Sequence, residues 1–116
     1  MPFAAPLLDL AQAQALAGEA DALRSLVESF RDSLQTELLR LDAAAQANDG
    51  EDLSMGLHAL KGFVPLFCGT DLAQALTHLY QDSRQQPASA MVARYRALEP
   101  ALRALHAEVE AWLGAL

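Results

Sequence analysis

An all-α fold is predicted by three features of the sequence: its residue usage, the spacing of its apolar residues, and the residues between the spaced runs. Alanine and leucine dominate a chain that is 53 % hydrophobic, while Val, Ile, Thr and aromatic residues are scarce. Alanine and leucine lose little on entering a helix, and the residues that favour strands are the ones missing. Apolar positions recur at alternating steps of three and four, the period of one buried helix face. Gly, Pro, Asn and Asp fall between those runs, where one helix stops and the next is capped. With 116 residues, the chain has room for one domain around a single core and too little for two.

Pro2 and Pro6 mark a loose start. Asp9 to Ala17 reads as a short helix, with Asp9 as its N-cap and Gly18 just past its end. A long helix follows from about Glu19 to Ala47, with Leu23, Leu26, Val27, Phe30, Leu34, Leu38 and Leu41 forming its buried stripe. Asn48-Asp49-Gly50 ends that helix and supplies the cap of the next, which spans about Glu51 to Phe67. Leu53, Leu57, Leu60, Val64 and Phe67 are its core positions. Gly69-Thr70 is a stop followed by a cap, and Asp71 places negative charge at a helix N-terminus. The helix from about Asp71 to Gln85 buries Leu72, Leu76 and Leu79.

After Pro87-Ala88-Ser89, a last helix carries Met91, Tyr95, Leu98, Leu102, Leu105, Val109, Trp112 and Leu116. Pro100 lies inside it, removing one backbone hydrogen bond and crowding the carbonyl four residues back. The apolar stripe keeps its register through Pro100, so one kinked helix is expected, with two shorter helices as the alternative. Four substantial amphipathic helices joined by short turns imply an antiparallel four-helix bundle, with the short N-terminal helix packed on one end.

Fifteen acidic residues against eight basic ones give a formal charge of −7. Such a surface repels phosphate backbones and anionic lipid heads, which argues against nucleic-acid and membrane-surface roles. Cys68 is the single cysteine, so the chain forms no internal disulfide and no cysteine-rich metal site. The start, MPFAAPLLDL, lacks a basic leader. No apolar run approaches the ~18 residues of a membrane span. A cytoplasmic location is expected, either free-standing or as a piece of a longer membrane-anchored chain.

One polar stripe in the third helix stands apart. On a wheel of ~100° per residue, Ser54, His58, Lys61, Gly62 and Pro65 lie roughly a third of a turn from the core centre. His58 is thereby mid-helix and on the rim of the buried face or in solvent. Lys61 and Gly62, at i+3 and i+4, share its face. A glycine inside a helix costs ~1 kcal/mol relative to alanine. Helical side chains lean toward the N-terminus, so a side chain at 62 would lean over the turn that holds His58. Its removal opens the imidazole to a large partner. Lys61 sets a mobile positive charge where a phosphoryl group on the ring would lie. A solvated imidazole, of ordinary pKa ~6.5, is largely neutral at pH 7 and so nucleophilic. No base, metal ligand or oxyanion donor accompanies the three, which therefore read as a phosphoryl carrier and not as an enzyme.

The run His58-Ala59-Leu60-Lys61-Gly62, followed by Leu72 and Leu76 on the next helix, resembles the histidine-containing phosphotransfer (HPt) domain of two-component phosphorelays. The likeness in helix order covers about residues 9–113. It implies that His58 accepts a phosphoryl group from the aspartyl phosphate of a receiver domain and donates it to the aspartate of another. Lys61 would balance the phosphate charge and Gly62 would leave clearance. The implied partners are response-regulator receivers and a hybrid sensor histidine kinase, meeting a monomeric bundle. No cofactor is implied for the chain itself, since Mg²⁺ is expected on the partner receiver.

The sequence departs from the family pattern at Phe63, Pro65 and Cys68, where small residues or glycine are usual. Pro65 frees the carbonyl of Lys61 and is expected to bend the helix below the site. Phe63 falls opposite the His58 stripe and is expected to pack against a neighbouring helix. These departures keep a second reading open, a helical interaction module that binds a receiver or kinase without being phosphorylated. A metal site from His58, Cys68 and His78 matches no compact ligand spacing. Cys68 reads as a small buried hydrophobe, and His78 and His106 as surface or rim residues.

Overall fold

The computed structural model describes residues 3–116, so Pro2 of the expected Pro2–Pro6 start lies outside the described residues. Five α-helices follow one another: α1 (Ala11–Ala17), α2 (Ala20–Gln46), α3 (Gly50–Phe63), α4 (Thr70–Ser83) and α5 (Ala88–Gly114). No β-strand occurs among the described residues. The two 27-residue helices, at about 1.5 Å per residue, account for the long dimension of a 44 × 22 × 22 Å molecule. Helix α2 packs against α1, α3 and α5, α3 also packs against α4 and α5, and α4 packs against α5.

The apolar stripes read from the sequence face one contiguous core. Leu53, Leu57, Leu60 and Val64 are fully buried, and Phe67 nearly so. The same holds for Leu72, Leu76 and Leu79 of α4, and for Met91, Tyr95, Leu98, Leu102, Leu105 and Val109 of α5. Three positions depart from expectation, and Trp112 of α5, only half-buried, is one of them. Leu26 is only half-buried, and Leu116, beyond the end of α5, is 63 % exposed. Phe30 of α2 stacks on Phe67 with centroids 4.0 Å apart and meets the edge of Phe63 at 5.8 Å. Such pairs are each worth about 0.5–1.5 kcal/mol beyond the area they bury. Phe63 thus packs inward against α2, away from His58, as the wheel predicts.

Helix ends follow from local chemistry, with corrections of a residue or two. Asp9 is not the N-cap of α1, a position held by Leu10, but its Oδ1 accepts the Ala11 N–H at 3.0 Å. Gly18 ends α1 at φ 83°, a conformation that costs glycine little. Asn48 ends α2 with φ 52°, while the Ala44 carbonyl accepts the Asp49 N–H at 2.9 Å. Asp49 then caps α3 by accepting the Asp52 N–H at 3.0 Å. Gly69, not Thr70, is the N-cap of α4, in an extended conformation with no side-chain cap bond.

The third helix is shorter than its apolar pattern suggests. Its α-helical turns stop at Phe63, and Val64–Leu66 form a 3₁₀ turn. The cause is Pro65, which has no N–H for the Lys61 carbonyl and whose ring crowds it. The Phe67 N–H then bonds to the Val64 carbonyl at 2.9 Å, which keeps Val64 and Phe67 facing the core. Pro100 has no comparable effect. Helix α5 runs unbroken through it, and Pro100 lies on the exposed side.

The N-terminal segment is tied down from Leu7 onward. Leu7 is buried, and its N–H donates to both carboxylate oxygens of Glu108, at 2.8 and 3.0 Å. The Leu8 N–H donates to Glu108 Oε1 at 3.0 Å. Asp9 N–H bonds to the Phe67 carbonyl at 2.9 Å, and a single antiparallel bridge joins Leu8 to Cys68. The strap therefore ties the start of the chain to α5 and to the turn after α3.

Candidate functional site

Helix α3 sets its core residues inward, so the stripe a third of a turn away must surface. His58 is exposed, Lys61 is half-buried and Gly62 is exposed. All three lie on the last two turns of α3, before the 3₁₀ turn that Pro65 imposes. The α-helical geometry at His58 and Lys61 is intact, and the departure from it begins at Phe63, with φ −130°. The disturbance expected from Pro65 therefore falls below the site.

A Cβ built on Gly62 meets nothing within 4 Å. Nothing in the chain itself requires a glycine there, whereas at Gly56 the same atom would stand 2.6 Å from Leu41 Cδ2. Gly62 leaves a bare backbone patch beside His58 at the usual cost of glycine in a helix.

The neighbouring wall comes from α4 and includes a residue the sequence reading missed. The Tyr80 ring is 5.2 Å from the His58 ring, centroid to centroid, with the planes tilted by 46°. The Lys61 Nζ lies 5.1 Å from the same Tyr80 centroid, within the range of a cation–π contact. Tyr80 thus touches both the imidazole and the ammonium. The sequence carried a signal for it, since position 80 lies on the edge of the Leu72–Leu76–Leu79 stripe, where an aromatic ring is half core and half surface.

Beyond His58, toward the start of α3, an open groove of about 700 Å³ separates α3 from the end of α4. Ser54, Met55, Tyr80, Ser83 and Arg84 line it together with His58. The Ser83 hydroxyl lies 2.6 Å from the Tyr80 carbonyl and 3.0 Å from Ser54 Oγ. With one proton to give, Ser83 donates to the carbonyl and accepts from Ser54, which pins the last turn of α4 to α3. Met55 is 52 % exposed, and Arg40 beside it is held by Asp52 at 2.8 Å.

Charge is distributed unevenly. Arg31, Arg40, Arg94, Arg96 and Arg103 each have a carboxylate within salt-bridge distance. Among the described residues, Arg24, Lys61 and Arg84 have none, and the last two lie near His58 on a molecule of charge −7. The remaining candidates lie elsewhere. Cys68 is buried, and desolvation pushes its thiol up to about 11. His78 is exposed on α4, and the half-buried His106 sits 3.8 Å from Glu110 on α5. No group of three or more His, Cys, Asp or Glu side chains suited to a metal ion occurs among the described residues. Among the described residues, no helix is long and apolar enough to cross a membrane.

Comparison with the models of known protein families, with curated proteins and with solved structures returns no match to this chain.

Proposed function

We propose that this chain is a phosphoryl carrier of the histidine phosphotransfer kind, with His58 as the phosphorylated residue on the outer face of an antiparallel bundle of the four longer helices. The observation that carries the reading is the surroundings of His58. An exposed imidazole stands mid-helix with an unpaired ammonium one turn away and a glycine beside it that no internal contact requires.

The chemistry asks little of the protein. A lone pair of one neutral ring nitrogen attacks the phosphorus of an aspartyl phosphate on a receiver domain. The N–P bond forms as the acyl P–O bond breaks, and the aspartate leaves as a carboxylate. The proton on the other ring nitrogen passes to water. Reversal on a second receiver returns the group to an aspartate. The transition state is loose and its charge is spread over the phosphoryl oxygens, so positioning and cations do most of the work. Lys61 supplies one cation, and Mg²⁺ held by the receiver supplies the rest. Gly62 lets the receiver approach.

Incubation with a phosphorylated receiver tests the reading. An acid-labile, alkali-stable phosphoryl adduct is expected on the wild type and absent from His58→Gln. An equal adduct on both proteins overturns it. Binding of the receiver with no adduct would instead make the chain a non-phosphorylated interaction module.

A further inference from the structure

Tyr80 stands where two contacts meet that the phosphotransfer reading treats separately. Its ring is 5.2 Å from the His58 ring and 5.1 Å from the Lys61 ammonium. It comes from α4, whereas both of its neighbours come from α3. The last turn of α4 that carries it is tied to α3 through Ser83 and Ser54. The ring is half-buried, so its position is set by packing, while His58 beside it is exposed.

A lysine on a helix surface normally samples many rotamers, and its ammonium is a mobile point charge on a four-carbon stem. Lys61 is half-buried instead of extended into water, and its ammonium lies over an aromatic face that attracts cations. An exposed contact of this kind is weak. A phosphoryl group carrying a charge of about −1.5 to −2 would attract the same ammonium far more strongly. The ring can therefore hold the charge close without competing for it once phosphate arrives.

We propose that Tyr80 is a positioning residue, its face holding the Lys61 ammonium beside His58 and yielding it to the phosphoryl group formed there. The inference rests on His58 being the phosphoryl carrier. The ring also walls one side of the imidazole and so limits the directions from which a phosphoryl donor reaches it.

Nuclear magnetic resonance of the Lys61 ε-methylene protons reads the contact without any transfer reaction. Protons held over the Tyr80 ring are expected to resonate upfield of an ordinary lysine in the wild type and in Tyr80→Phe. Phosphorylation of His58 by phosphoramidate, whose P–N bond breaks to release ammonia, is expected to move the signal back toward the ordinary position. In transfer from a phosphorylated receiver, Tyr80→Phe should keep the wild-type rate. Tyr80→Leu should slow transfer about two- to five-fold, because the released Lys61 side chain spreads over rotamers that carry its ammonium away from His58. Lys61→Met should then cost less in the Tyr80→Leu background than alone.

A Lys61 signal at the ordinary position in the wild type overturns the proposal even if His58 is phosphorylated. So does an unchanged rate in Tyr80→Leu, or independent effects in the double variant. A shifted signal on a protein that takes no phosphoryl group overturns the phosphotransfer reading, and the release step with it.

Discussion

Gly56 of α3 lies directly against Leu41 of α2, so closely that a Cβ at position 56 would stand 2.6 Å from Leu41 Cδ2 and 2.8 Å from its Cγ. Leu41 is fully buried, so its side chain must shift within a packed core to make room. Further along the same helix, Gly62 opens on nothing within 4 Å. One glycine is explained by packing and the other is not.

Alanine should therefore act with opposite sign at the two positions. At Gly56, overpacking of about 1–3 kcal/mol outweighs the ~1 kcal/mol gained in helix propensity. Gly56→Ala is expected to lower the unfolding free energy by up to about 2 kcal/mol. Gly62→Ala should raise it by about 0.5–1 kcal/mol. Urea denaturation of both variants checks the pair, and equal shifts would contradict the close approach of α3 to α2.

Stability and function should part company at position 62. A larger side chain there leans back over the turn of His58. Gly62→Gln is expected to unfold at a higher urea concentration than the wild type yet to transfer phosphoryl about tenfold more slowly, a barrier increase of ~1.4 kcal/mol. Transfer at the wild-type rate would show that partners do not approach over Gly62.

Lys61→Ala separates the same two quantities differently. Lys61 makes no ion pair among the described residues, and its one recorded partner is the Tyr80 ring. Its removal should change stability by no more than about 0.5–1 kcal/mol. A charge-assisted contact to a phosphoryl group is worth ~1.5–3 kcal/mol, so transfer should slow by roughly ten- to a hundred-fold. Stopped-flow transfer alongside thermal melting distinguishes this outcome from a structural role.

The part of this arrangement that was legible in the sequence is the part set by local periodicity. The stripe Leu53-Leu57-Leu60-Val64-Phe67 placed His58, Lys61 and Gly62 on an outer face, and that rotation is correct. The cap at Asp49 and the stop at Gly18 followed from backbone chemistry that a single residue type reveals. Pro65 was seen as a local disturbance, but the apolar pattern continued past it and hid the end of the α-helix at Phe63. What escaped was contact between distant segments. Tyr80 meets His58 only because α3 and α4 pack at a particular rotation, which no window of sequence contains. Nothing around Gly56 in the sequence signals the Leu41 side chain that packs against it. The Glu108 clamp joins residues 101 positions apart, with no motif to announce it.

That clamp makes a prediction about the N-terminal strap. Glu108→Ala leaves the Leu7 and Leu8 N–H groups without their acceptor, and Leu7 is buried. An unsatisfied buried donor costs about 1–3 kcal/mol. Glu108→Ala is therefore expected to lower stability by that amount. Hydrogen exchange at Leu7 and Leu8 should quicken selectively, while α3 and the His58 site keep their protection. Uniform acceleration across α5 would show that Glu108 supports the helix and not the strap.

Alkaline pH provides a test of the core itself. Burial pushes the Cys68 thiol from an ordinary 9.0 up to about 11, and the Tyr95 hydroxyl from 10.0 up to about 12. In both cases the folded state favours the neutral form, so the unfolded chain releases its proton first. Between the two pKa values the unfolded state binds fewer protons, and stability falls as pH rises. The stabilising contribution is complete below about pH 9 and is lost progressively up to about pH 12. Urea midpoints measured from pH 8 to 11.5 should decline, and the decline should be shallower in Cys68→Ala and Tyr95→Phe. Cys68 should also resist an aromatic disulfide reagent at pH 8 and react only as fast as the protein opens, since the thiolate is the nucleophile. Rapid labelling of the folded protein would mean that the turn after α3, tied to the strap from Leu7 to Asp9, opens independently of the core.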